Sequence, residues 1–270
     1  MSTESIHIPY PDTKALKAAK GTFLMHMKNH PRYDNRTKVA FHGTVKIHGT
    51  NITIIFKPGG VKPQIQSRNN FITPENDDGY GSAAFISPYV EIIKGAVKPV
   101  IGNKIVEVMI AGELAGEGIN LRQAATSDLE RFYVIFAIRV NGVWLDRRVW
   151  QHVVFPTTTR IYNIHQFKTY NVVVDFKEDR AVGGGKIIKD LCLEVERECP
   201  VALQLGIKNG RGEGIVWTEV SYSDTRDGCR CLELLTCRYR KESKSTGLLI
   251  HLSSRARVRH LKMVEISHPQ

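Results

Sequence analysis

Short runs of β-branched and other apolar positions, bounded by polar and turn residues, recur along the chain and are strand-like. They occupy 44–56, 64–67, 105–111, 132–140, 143–150, 170–176, 214–220 and 231–238. Asn141-Gly142 separates two of them and predicts a tight hairpin turn. Helical spacing is confined to 12–27, 83–97 and 186–198. In the last of these, Ile187, Ile188, Leu191 and Val195 share one face, whereas the second is disturbed by Pro88. Strands that outnumber and cluster apart from helices predict an α+β fold built on antiparallel sheets. The absence of repeats, low-complexity tracts and linkers predicts one continuous domain.

Composition narrows the classes. The chain has 270 residues, 42% of them apolar, enough for a real core. No apolar run approaches the ~18 residues that span a bilayer. The start, Met1 to Pro9, has no basic stretch followed by an apolar one, so a cytoplasmic protein is expected. Five cysteines without a CxxC pair fit reduced thiols, and Cys229, Cys231 and Cys237 lack the spacing of a zinc site. The formal charge is +11. Its distribution says more than its total. Ten Lys or Arg against the single acid Asp34 lie between Lys14 and Lys62, and ten more against three acids lie between Arg226 and Lys262. Two basic clusters flanking a more acidic middle point to a polyanion such as nucleic acid.

Four segments could carry chemistry. Lys46-Ile47-His48-Gly49-Thr50-Asn51 falls between two strand-like runs, so its lysine sits on a turn held at both ends. Ala111-Gly112-Glu113-Leu114-Ala115-Gly116-Glu117-Gly118 ends an apolar strand with carboxylates among glycines, where a carboxylate can accept from a ribose hydroxyl or hold a metal ion. Gly212-Glu213-Gly214 opens another apolar strand, a place suited to a divalent cation. The aromatic-rich strand Phe132-Tyr133-Val134-Ile135-Phe136 offers rings to core or base.

In chain order, with Ser67-Arg68-Asn69 after the first and the aromatic strand before Gly212-Glu213-Gly214, these motifs resemble the phage T4 RNA ligase 2 family, to which the kinetoplastid RNA-editing ligases belong. The resemblance covers about residues 44–240. DNA ligases and capping enzymes share the fold but usually carry Asp where His48 stands. The resemblance implies an ATP-grasp-like nucleotidyltransferase domain, 1–240, of antiparallel sheets with flanking helices around an ATP cleft, then a short basic tail, 241–270, without the family's helical C-terminal domain.

It also implies ATP-dependent joining of an RNA 3′-hydroxyl to a 5′-phosphate, at a nicked duplex in RNA repair, through AMP carried on Lys46. A lysine attacks only as the free amine, so nearby positive charge must lower its pKa. By the same resemblance, Ile47 lies in the nucleotide site, Asn51 and Arg68 contact nucleotide or RNA 5′-phosphate, and Glu113 binds the ribose. Phe136 stacks on adenine, Glu213 takes Mg²⁺ or Mn²⁺, and His48 serves the RNA-dependent steps. The family's last motif, apolar-Lys-x-Lys, reads Leu235-Thr236-Cys237-Arg238, so Thr236 replaces one lysine and Arg238 the other. Slow AMP loading and a protein partner for RNA binding follow as expectations. Transfer of AMP to another acceptor, and nucleic-acid binding with weakened catalysis, are the alternatives.

Overall fold

The structure is a computed structural model that describes residues 7–10, 38–59, 62–102, 107–119, 124–175, 184–220, 235–241 and 246–252. The expected helix at 12–27 and most of the second basic cluster lie outside these residues.

The strands in chain order are β1 (Lys38–Val45), β2 (Thr50–Phe56), β3 (Gln64–Ser67), β4 (Phe71–Ile72), β5 (Val108–Ala115), β6 (Phe132–Val140), β7 (Val143–Trp144), β8 (Ile161–Asn163), β9 (Thr169–Asp175), β10 (Ile215–Glu219), β11 (Leu235–Lys241) and β12 (Thr246–Leu252). The helices are α1 (Ser82–Ile86), α2 (Val90–Ile101), α3 (Arg147–Trp150), α4 (Gly184–Arg197) and α5 (Pro200–Gln204). The strands form two sheets. One runs β12-β11-β10-β1-β9 and the other β4-β3-β2-β5-β6-β7, with β8 pairing β6 in parallel and every other pair antiparallel. A mixed α and β architecture on antiparallel sheets is therefore present. β12, in the stretch expected as a tail, pairs with β11 along its length.

Alternation fixes what each sheet buries. In the first, Phe41, Val45, Tyr170, Val172, Val174, Ile215 and Trp217 point to one side, where α4 packs on β9 and β10. The buried side of α4 is Ile188, Cys192 and Val195. These follow an i, i+4, i+7 stripe. Ile187, expected on that face, is exposed, because a stripe centred on Cys192 rotates it away. In the second sheet, Ile52, Ile54, Ile65, Ile110 and Ile138 join the α-helical residues Ile86, Ile93 and Val97 in the same core cluster.

Two expected elements are interrupted. The run 143–150 gives only the two-residue β7, because Asp146 accepts from the backbone N–H of Arg148 and starts α3 there. The helix at 83–97 is split by a 3₁₀ turn, Ser87–Tyr89, that accommodates Pro88 near its start.

Candidate active site

The short turn between β1 and β2 crosses from one sheet to the other, and it carries Lys46. The Lys46 backbone N–H donates to Gly214 O at 2.9 Å, continuing the β1–β10 ladder one residue past Val45. That pairing brings the residue before Gly214 alongside. Lys46 Nζ donates to Glu213 Oε2, an ion pair whose side chains are 19% and 21% exposed. It is shielded from bulk water yet open on one side.

The other end of the turn is pressed against β5. An added Cβ at Gly49 would stand 2.2 Å from Leu114 O and 2.7 Å from Glu113 Cγ, so only glycine fits. Asn51 then pairs with Glu113 across β2 and β5, and its Nδ2 donates to Gly112 O at 3.4 Å. Ile52 pairs with Ser67 on the other side, so Arg68 follows next to Asn51 at the exposed end of β3. Ile47 is buried beneath the turn and His48 is exposed upon it.

Phe136 reaches the same face by an irregularity. Ala111 pairs with Ala137 and Gly112 with Ile135, which leaves Phe136 as an extra residue in a β-bulge. A bulge re-aims the side chain it carries. Tyr133 anchors this point. Its hydroxyl, 2.8 Å from Ile52 O, lies where a Cβ on Gly112 would have to be. Burial, reinforced by the Glu113 carboxylate, pushes the Tyr133 phenol well up, so it is a permanent donor.

The half-buried Phe136 ring is met edge-on by Tyr10 at 4.8 Å, and Tyr10 meets Trp144 at 5.2 Å. Tyr10 arrives on a segment tied to β3, where Gln66 Nε2 donates to Ile8 O at 2.6 Å. Burial and then Glu113 raise its pKa as well. Sequence reasoning missed Tyr10, and its lone place between Pro9 and Pro11 carries no periodic signal. Thr53, two positions beyond Asn51 on the same face, keeps its hydroxyl buried without a hydrogen-bond partner among the described residues.

The structure thus brings Lys46, Asn51, Glu113, Glu213 and the Phe136 bulge around one turn. Arg238 pairs with Val216, the neighbour of Thr44, and Thr236 pairs with Thr218, so both lie on the strand beside β10, which begins two residues after Glu213. Among the described residues no group of three or more His, Cys, Asp or Glu is placed to cage a metal ion. Glu213, a single carboxylate at the turn, is the remaining donor arrangement. It is one that Mg²⁺ accepts, since that ion is commonly held by one or two carboxylates and substrate phosphates.

A sequence model of the family described as RNA ligase matches residues 40–231. No curated protein sequence matches the chain significantly. Among solved structures the chain is similar to a mutant of Naegleria gruberi RNA ligase with ATP and Mn, at 14% identity and a TM-score of 0.49, over 78% of this chain and 52% of that one. Another mutant of that ligase, with AMP and Mn, gives 14%, 0.48, 78% and 53%. The same ligase with PPi gives 14%, 0.49, 81% and 57%. The chain spans about half the length of these solved chains.

Proposed function

We propose that this chain, which belongs to the RNA ligase family, joins RNA 3′-hydroxyl and 5′-phosphate ends at the expense of ATP, with Lys46 as the residue that carries AMP. One observation carries the reading: a lysine on a two-sheet turn sits in contact with the carboxylate of Glu213 and one strand away from Asn51 and Glu113. Phe136 and Tyr10 offer an aromatic wall, and the buried Thr53 hydroxyl an unused polar group, for a base laid on this face.

In the first step the Lys46 amine forms a bond to the α-phosphorus of ATP as the bond to pyrophosphate breaks, and Nζ loses a proton. Lys46 Nζ is in contact with the Glu213 carboxylate, and that contact has to be loosened for the free amine to attack. Glu213 would be the residue to hold a Mg²⁺ or Mn²⁺ ion, which would supply positive charge to offset the negative charge of the phosphates. Glu113 accepts from the ribose, while Asn51, Arg68 and Arg238 hold phosphate. AMP then passes to an RNA 5′-phosphate, and the 3′-hydroxyl displaces it at a nick. His48, exposed beside the nucleophile, serves these later steps.

The test is incubation with α-labelled ATP and Mg²⁺ or Mn²⁺, followed by a nicked RNA duplex. One AMP on the peptide containing Lys46, absent in Lys46→Ala, and sealing of the nick are expected. His48→Ala should load AMP yet seal poorly. Label that persists in Lys46→Ala sinks the assignment.

A further inference from the structure

The face of β1 that ends in Lys46 carries a second group of nitrogen donors. Alternation through Thr44 puts His42 on the same face. It lies four residues back, about 13 Å along the strand at roughly 3.3 Å per residue. His42 is 5% exposed. Its Nδ1 lies 3.0 Å from Asn171 Oδ1 on β9, while its Nε2 is buried with no hydrogen-bond partner among the described residues. A buried polar atom in that state calls for an explanation, and a ligand is one.

The surroundings say which ligand. The His165 ring stands 5.4 Å from that of His42, and Trp150 holds His165 edge-on at 4.8 Å. Arg147, in the same helical turn as Trp150, is half-buried, with a guanidinium N–H donating to Gln151 at 2.9 Å. Burial lowers the pKa of both rings, and the charged neighbours that lower them further are cationic: Arg147 for His42, and His42, Arg147 and His152 for His165. Asn171 and Thr218 flank His42 within the sheet and carry no charge. A set of donors converging without a carboxylate among these neighbours is complementary to an anion. The solvent side lies near: His152 is exposed and β9 is an edge strand of its sheet.

We propose that His42, His165 and Arg147 form a subsite for a backbone phosphate of the RNA strand, set along β1 from the nucleophile. The proposal rests on the RNA-joining reading above. Arg147 donates to the phosphate from its guanidinium. His42 takes up a proton from solvent as the phosphate enters, so that Nδ1–H keeps Asn171 and Nε2–H donates to a phosphate oxygen. The incoming phosphate supplies the counter-charge that the protein side lacks.

The experiment measures binding of a 5′-phosphorylated RNA to the full chain by fluorescence anisotropy, for wild type, His42→Gln, His165→Phe and Arg147→Gln. AMP loading of Lys46, which needs no RNA, checks that each variant is folded. Arg147→Gln should weaken binding about ten-fold and lower the log–log salt slope by about one. Wild-type affinity should rise as pH falls from about 8 to about 6, and His42→Gln should flatten that rise. If His42→Gln fails to fold, Arg147→Gln still decides. Unchanged RNA affinity and salt slope in variants of a protein that seals RNA overturn the subsite alone. Variants that change inhibition by pyrophosphate but not RNA binding also overturn it, assigning the anion to the nucleotide. A wild type that loads AMP but neither binds nor seals RNA overturns the RNA-joining reading, and the subsite with it.

Discussion

Gly49→Ala adds a single methyl group at the point where the nucleophile's turn meets β5. The obstacle is a main-chain carbonyl, Leu114 O, 2.2 Å from where the Cβ must go, with Glu113 Cγ at 2.7 Å. Favourable contacts between such heavy atoms lie near 3.5 Å, so the turn has to lift by about 1 Å. Overpacking of this kind costs about 1–3 kcal/mol, and the upper end applies because a strand carbonyl cannot rotate aside as a side chain can. In a protein of this size that corresponds to a fall in Tm of roughly 6–12 °C. The lifted turn also moves Lys46 relative to Glu113, so AMP loading should slow more than stability alone explains. Gly95→Ala is the matched control. Gly95 lies in α2 with nothing within 4 Å of an added Cβ, so the same methyl should stabilise by about 0.5–1 kcal/mol through helix propensity. Thermal unfolding of the two variants, with label transfer from ATP, checks both signs. A Gly49→Ala protein that melts and loads AMP like wild type, while Gly95→Ala stabilises, would refute the reasoning that the turn is clamped on β5.

Three further outcomes follow from the same geometry. Tyr133→Phe removes the hydroxyl bonded to Ile52 O at 2.8 Å inside the core, and denaturant unfolding should show a loss of about 1–3 kcal/mol. Burial, then the cations His42, Arg147 and His152, lower His165 from 6.5 to about 3 in the fold. The unfolded chain therefore binds the extra proton between those values, and stability should fall by up to about 1.4 kcal/mol per unit as pH drops from 6.5 towards 3, a slope that His165→Phe should reduce in unfolding measured across pH. Thr236→Lys restores a cation on the strand beside β10 and should speed AMP loading by about 10²–10³ while moving its pH optimum down, in initial-rate labelling across pH.

The strands were legible where short β-branched or apolar runs ended in turn residues. Runs 64–67 and 132–140 are strands at the expected bounds, and Asn141-Gly142 is the hairpin turn, with Asn141 at φ 49 and Gly142 at φ 85. The site motifs were legible for a related reason. Close approach of a turn to a strand demands glycine, and Gly49 and Gly112 stand where backbone or a tyrosine ring fills the space of a Cβ. What could not be read depends on partners far along the chain. β1 begins at Lys38, six residues before the expected run, because its central position between β9 and β10 imposes extension on Val39 to Gly43. β8 is three residues long and exists through its parallel pairing with β6. Tyr10 meets Phe136 across 126 residues of chain, and His42 meets His165 across 123. No window along a sequence contains such distances.

The bulge at Phe136 sets a counting rule for the whole second sheet. From Ala137 to Val140 the paired residue numbers of β5 and β6 sum to one value, and from Phe132 to Ile135 to a value one lower. Excising Phe136 would merge the two registers into an unbroken ladder, with every neighbouring side chain still on its present face. Substituting it would leave the phase jump in place. Shortening β6 by one residue thus gives a more regular sheet that has lost its aromatic towards Tyr10. Selection for the ladder alone would erase the irregularity, so keeping it is a constraint on the length of β6 rather than on the identity of any one residue.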